Sequence, residues 1–118
     1  MIIKCIIPFV LFTSLYSSFP YDKSIDRAIY HLYNFEFNKS IEILDSLSIN
    51  YPIDPLIPFL KVSNKWQQAL IHDNPESSYI IINSGIKKLI PYYLQMIEQY
   101  PDNQDYKLFL GSLYGLSA

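Results

Sequence analysis

Residues 24–52 read SIDRAIYHLYNFEFNKSIEILDSLSINYP, and the spacing of the apolar side chains in this stretch decides the fold. Ile25, Ala28, Ile29, Leu32 and Tyr33 recur at intervals of three and four, so they share one face of a helix. Asp22 or Ser24 is placed to cap it. Asn34 to Asn38 forms the turn, and a second helix follows to about Asn50, with Phe37, Ile41, Leu44 and Leu47 on its inner stripe. Tyr51-Pro52 ends it, because the residue before a proline is pushed out of the α region. The stretch is a helix hairpin.

The same punctuation recurs downstream. Asp54-Pro55 reads as an N-cap followed by a proline in the first turn. A third helix then runs to about Ile71 through Leu56, Phe59, Leu60, Val62, Trp66, Ala69 and Leu70. His72-Asp73-Asn74-Pro75 repeats the stop-and-cap logic. Glu76 to Tyr100 is long and apolar. Ile80-Ile81-Ile82 would suit a strand by β-branching, but Tyr79, Ile82, Ile86, Leu89, Ile90, Tyr93, Leu94 and Ile97 keep the helical period. Pro91 lies deep inside and deletes the amide that would bond Lys87, which predicts a kink near 87–91 or two helices. A last helix starts near Asp102 to Gln104 and carries Tyr106, Phe109, Leu110, Leu113 and Tyr114. With three glycines and no alternating period-two runs, the chain reads as all-α.

Tyr-Pro occurs twice, at 51–52 and 100–101. Ser40, Leu44 and Leu47 lie twelve, eight and five residues before Pro52, and Ala28 lies twenty-four before it. Gly111 and Tyr114 fall ten and thirteen residues after Pro101, and Val62 falls ten after Pro52. Small residues thus sit where paired helices cross closely, and large ones where they interlock. Ala28, Phe37, Ser40, Leu44, Leu47 and Pro52, with Leu110, Gly111 and Tyr114 in the last helix, resemble the tetratricopeptide repeat, a helix-turn-helix unit of about 34 residues. The resemblance covers residues 20–51 as a full unit, and 54–71 and 106–114 as first helices. Ser40 stands where alanine is usual and Phe35 where glycine is common. The two Tyr-Pro marks are 49 residues apart, further than one such unit. The resemblance implies antiparallel helix pairs stacked as a short right-handed solenoid over residues 19–118, with a concave face that binds a protein or peptide segment. The last helix reads as the first of a pair. It folds back on the fourth segment, belongs to a truncated member of a longer family, or is covered by another chain.

Residues 1–18 have a different character. Lys4 is the only charged side chain before Asp22, and Cys5 to Leu15 is an apolar run of about eleven residues ending in small and polar ones. That is the layout of a secretory signal peptide, too short to span a bilayer, which takes about 20 residues. Cleavage is expected after Ser17 or Ser18, with the product in the periplasm or outside the cell, by analogy with exported repeat proteins of bacterial envelopes. Left uncleaved, the segment would make a small membrane-tethered structural protein.

Composition limits function. A formal charge of -2, or -3 without Lys4, leaves no electrostatic footprint for nucleic acid. The single cysteine, Cys5, lies in the leader, so the mature chain has no thiolate nucleophile, disulfide or cysteine metal ligand. His31 and His72 are 41 residues apart with no partner at metal spacing. No phosphate loop or nucleophile elbow is present. No catalytic residue, metal or cofactor is expected. The chain is 16% aromatic, with eleven Tyr and seven Phe, but 17% charged, so partner contacts should be apolar and aromatic. Tyr30, Tyr33, Phe35 and Phe37 cluster at the first inter-helix turn, and Tyr92, Tyr93, Tyr100 and Tyr106 cluster late. Most of these aromatics should pack the core, with Trp66 between the third helix and the fourth segment. Tyr30, Tyr33, Trp66, Tyr93 and Tyr106 are the candidate partner-binding residues.

Overall fold

In the computed structural model, residues 23–117 are described; the leader with Cys5, the capping candidate Asp22, and Ala118 lie outside them. The helices are α1 (Ser24–Tyr33), α2 (Phe37–Asn50), α3 (Leu56–His72), α4 (Pro75–Gln99) and α5 (Gln104–Ser117). There is no strand among the described residues.

Each break has a local cause. Ser24 is the first residue of α1, and Lys23, at the cap position, makes no side-chain cap bond. At its other end Glu36 N donates to His31 O (2.8 Å) and Phe35 N to Leu32 O (3.1 Å). These two bonds form a Schellman closure around a residue in the left-handed region. That residue is Phe35, at φ 62°. After α2, Asp54 Oδ1 accepts from Leu56 N at 2.9 Å and starts α3. Asn74 Oδ1 accepts from Ser77 N at 2.8 Å, with Pro75 at the first helical position, so the Asn-Pro signal works as read. Asn103 Oδ1 accepts from Asp105 N at 3.0 Å ahead of α5.

α4 runs through Pro91 as a single helix, so the chain does not split in two there. Pro91 and Lys87 are both exposed, and water can satisfy the carbonyl that the missing amide leaves free.

Successive helices pack on one another: α1 on α2, α2 on α3, α3 on α4, and α4 on α5. Their buried stripes are Ile25, Ala28 and Leu32 on α1 and Phe37, Ser40, Leu44 and Leu47 on α2. On α4 they are Ser78, Ile82, Ile86, Leu89, Tyr93 and Met96, and on α5 Tyr106, Phe109 and Leu113. Tyr33, Tyr79, Leu94 and Tyr114, assigned to inner faces by spacing, are exposed instead. Ile41 is half-buried, and Ser40 takes the inner position. α3 is enclosed on more than one side, burying Leu56, Ile57, Phe59, Leu60, Ser63, Asn64, Trp66, Gln67 and Ala69.

Two crossings are especially close. Between α1 and α2, Ser40 Oγ donates to Ala28 O at 2.7 Å. Asn64 Nδ2 of α3 donates to that same Ser40 Oγ at 3.1 Å and to Leu60 O at 3.0 Å. A short buried polar chain therefore ties three helices together. Between α3 and α4, a Cβ built on Gly85 would stand 2.5 Å from Val62 Cγ1. Glycine is required there by the neighbouring helix, not by its own backbone angles.

Candidate partner-binding surface

The first inter-helix turn carries three exposed aromatic rings. Tyr30 is 62% exposed, Phe35 60% and Tyr33 44%. An aromatic side chain in the left-handed region costs roughly 1 kcal/mol or more relative to glycine, and here its ring gains little burial. Its neighbours form ion pairs across the turn. In a Schellman closure the residues at the positions of His31 and Glu36 usually make an apolar contact. Here His31 Nδ1 lies 3.2 Å from Glu36 Oε1, and Lys39 Nζ lies 2.8 Å from Glu36 Oε2. The Lys39 hydrogen bond, then that of His31, holds the Glu36 carboxyl below the usual carboxylate range. The same bond raises the Lys39 ammonium.

Beside this turn is an open cleft of about 310 Å³, lined by Phe35, Phe37, Lys39, Gln68 and His72 among others. Phe37 forms its buried floor, with its ring 6.3 Å from that of Phe35 and edge-on to His72 at 5.9 Å. The cleft therefore presents two aromatic rings beside the Glu36 carboxylate, the Lys39 ammonium, the His72 imidazole and the amides of Asn38 and Gln68. Such a cleft can take an apolar group and hydrogen-bond polar groups beside it. A second hollow of about 260 Å³, between α1 and α2, is lined by Ser24, Arg27, Glu42 and Ile43 among others and has no aromatic wall.

The five candidate residues do not converge. Tyr30 and Tyr33 stand at the turn. Trp66 is buried in α3, in the core role the spacing favours. Tyr93 and Tyr106 are fully buried at the opposite end of the bundle, where both Tyr-Pro turns lie. Tyr93 donates its hydroxyl to Pro55 O at 2.6 Å, and Tyr106 donates to Ile53 O. Their rings are 6.4 Å apart, Tyr93 stacks on Phe109 at 6.1 Å, and Tyr100 stacks on Tyr106 at 6.2 Å. Burial, then nearby ionisable groups including Asp54, raises the Tyr93 hydroxyl well above its usual value and Tyr106 to about 12. These two tyrosines pin the 51–55 turn against α4 and α5, so their work here is structural.

Sequence reasoning placed Phe35 and Phe37 in the aromatic cluster without assigning them to the site. It gave no indication of Gln68 or His72, which reach the cleft only because the end of α3 packs beside the start of α2. The available signal was a phenylalanine at a helix-ending position where glycine is usual.

Among the described residues no group of His, Cys, Asp and Glu could hold a metal ion, and no helix is long and apolar enough to cross a membrane. Comparison with protein families, curated proteins and solved structures produced no match to this chain.

Proposed function

We infer that this chain is a non-catalytic interaction scaffold of tetratricopeptide-like helix pairs, and that it holds a peptide or protein segment in the cleft beside Phe35. The observation that carries the reading is Phe35 itself: a large apolar ring, kept in a conformation that favours glycine and left 60% exposed beside a cleft with an aromatic floor. Neither backbone preference nor core packing calls for phenylalanine there, whereas a recognition contact does.

The repeat reading draws support from the two close crossings. Ala28 meets Ser40, twelve residues on, and Val62 meets Gly85, twenty-three residues on. Ser40 precedes Pro52 by twelve residues, and Gly85 precedes Pro101 by sixteen. The second pair thus follows the plan of the first with its helices lengthened on both sides of the crossing. That lengthening accounts for the 49-residue spacing of the Tyr-Pro marks. On this reading α1, α3 and α5 are first helices, α2 and α4 are second helices, and the stack is right-handed. The apolar leader directs export to the periplasm or beyond. Intact mass of the protein from a secretion-competent host tests that address, since loss of about 18 residues is expected on cleavage.

Panning a random peptide library on the immobilised protein tests the cleft, with Phe35→Gly as the counter-target. Glycine suits φ 62° better than phenylalanine, so the variant keeps the fold. Peptides with an apolar or aromatic anchor that bind wild type at least about tenfold better than Phe35→Gly are expected. Equal binding to both proteins would remove the cleft from the function.

A further inference from the structure

We propose that the cleft beside Phe35 takes a segment carrying a carboxylate next to its apolar anchor, and holds it more tightly as pH falls from about 7.5 to about 5.5. The inference rests on that cleft being the binding site. Its basis is the position of the two histidines of the chain. They are 41 residues apart in sequence, yet the fold brings both to the turn between α1 and α2, each in the last turn of its own helix, α1 or α3. His31 Nδ1 lies 3.2 Å from Glu36 Oε1. His72 lines the cleft, with its ring edge-on to that of Phe37 at 5.9 Å. An imidazole is the side chain that gains a proton between about pH 8 and about pH 5.

The charge of the cleft follows from its lining. Among the described residues, Glu36 is the only carboxylate there, and Lys39 and His72 are the only other ionisable groups. With the imidazoles neutral, the negative charge of Glu36 and the positive charge of Lys39 cancel. A proton on His72 leaves the cleft with a net positive charge. A proton on His31 adds a further cation beside the Glu36 carboxylate, which Lys39 already compensates at 2.8 Å. Glu36 stays ionised throughout, since its hydrogen bonds to Lys39 and His31 hold its carboxyl below the usual carboxylate range. The other charged groups near the imidazoles are Arg27, one turn before His31 on α1, Lys65 on α3, and Asp73 and Glu76 just beyond His72. All four are exposed and none lines the cleft.

These groups select the occupant. Both Glu36 oxygens already accept, one from His31 and one from Lys39, so a cationic ligand would have to displace one of them. A carboxylate meets no such competitor. The Asn38 and Gln68 amides can donate to it, and His72 supplies a charge once protonated. A side-chain carboxyl ordinarily titrates near about 4, so the ligand keeps its charge while the imidazoles gain theirs. The apolar part of the ligand meets the rings of Phe35 and Phe37, whose centres are 6.3 Å apart. The tighter binding therefore needs the proton on the imidazole and the charge on the ligand together.

The test pans a random peptide library at about pH 5.5 and at about pH 7.5 on the protein purified after expression of the full chain, with Phe35→Gly as the counter-target. Peptides recovered at the lower pH that need Phe35 should carry Asp or Glu next to an aromatic or aliphatic residue. At low salt their dissociation constants should be about three- to tenfold lower at about pH 5.5 than at about pH 7.5, as one or two solvated ion pairs provide. That ratio should fall toward one in His72→Gln, with helicity checked by circular dichroism. It should fall likewise when the acidic residue of the peptide is replaced by its amide, which needs no change in the protein. It should also shrink in about 1 M salt. Phe35-dependent peptides that bind equally at both pH values overturn this inference and leave the cleft standing. So does an acid gain that survives undiminished in His72→Gln or with the amide peptide. No Phe35-dependent peptide at either pH removes the cleft itself, and this inference with it.

Discussion

Replacing Gly85 by alanine sets two effects of known sign against each other. Alanine favours a helix interior by about 1 kcal/mol over glycine, so at an open position the change would stabilise α4. At this crossing the new Cβ would lie 2.5 Å from Val62 Cγ1 and 3.2 Å from Cγ2. Valine is stiff at χ1, so its methyl groups cannot simply swing aside and α3 and α4 must separate. Overpacking of this kind typically costs about 1–3 kcal/mol, and the strain here belongs at the upper end because the blocking methyls end a short, stiff β-branched side chain. The net expectation is a loss of about 1–2 kcal/mol, or roughly 5–15 °C in melting temperature for a domain of this size. Urea unfolding followed by circular dichroism and by Trp66 fluorescence measures it. Val62→Ala in the same chain removes both offending methyls, so the double variant should recover at least about 1 kcal/mol relative to the sum of the two single changes. A Gly85→Ala protein as stable as wild type, or more so, would refute the close crossing and with it the correspondence between the two helix pairs.

Three further outcomes follow from the packing. Ser40→Ala removes the donor to Ala28 O and an acceptor of Asn64, and should cost about 0.5–1.5 kcal/mol in urea titration. It should not unfold the chain, because Asn64 Nδ2 keeps Leu60 O. Pro91→Ala restores an amide for Lys87 O on an exposed helix surface and should raise stability by about 1–3 kcal/mol, read as a higher melting temperature. Tyr93 and Tyr106 are held neutral by the fold, with their hydroxyls above the usual 10.0 and Tyr106 at about 12. The folded state then binds more protons than the unfolded one, so their stabilisation is complete below pH 10.0 and is lost as pH rises toward about 12. Unfolding free energies measured across that window should fall in wild type and fall less steeply in Tyr93→Phe/Tyr106→Phe.

The helices were legible in the sequence because their ends are written in residues with local effects. Proline at 52, 75 and 101 and Asx side chains at 54, 74 and 103 act within a few residues of themselves. Pro91 shows where such reading stops. Its cost depends on whether the freed carbonyl meets water or another helix, which is a property of the packed molecule. The candidate site was harder for a related reason. A tyrosine can fill a core and donate its hydroxyl, or stand in solvent as an anchor, and its spacing on a helix does not distinguish the two. Tyr93 and Tyr30 are both tyrosines in the second halves of their helices, yet one is sealed against Pro55 O and the other projects outward. What separates them is whether a loop from a distant part of the chain arrives above the ring. Phe35 is different: the conflict between its side chain and its backbone is local, so its oddity could be noticed in the sequence. The cleft it borders could not, because Gln68 and His72 lie 33 and 37 residues further along and join it only through the packing of α3 on α2. A residue that violates a local preference is therefore a better pointer to function in this chain than one that merely belongs to an aromatic cluster.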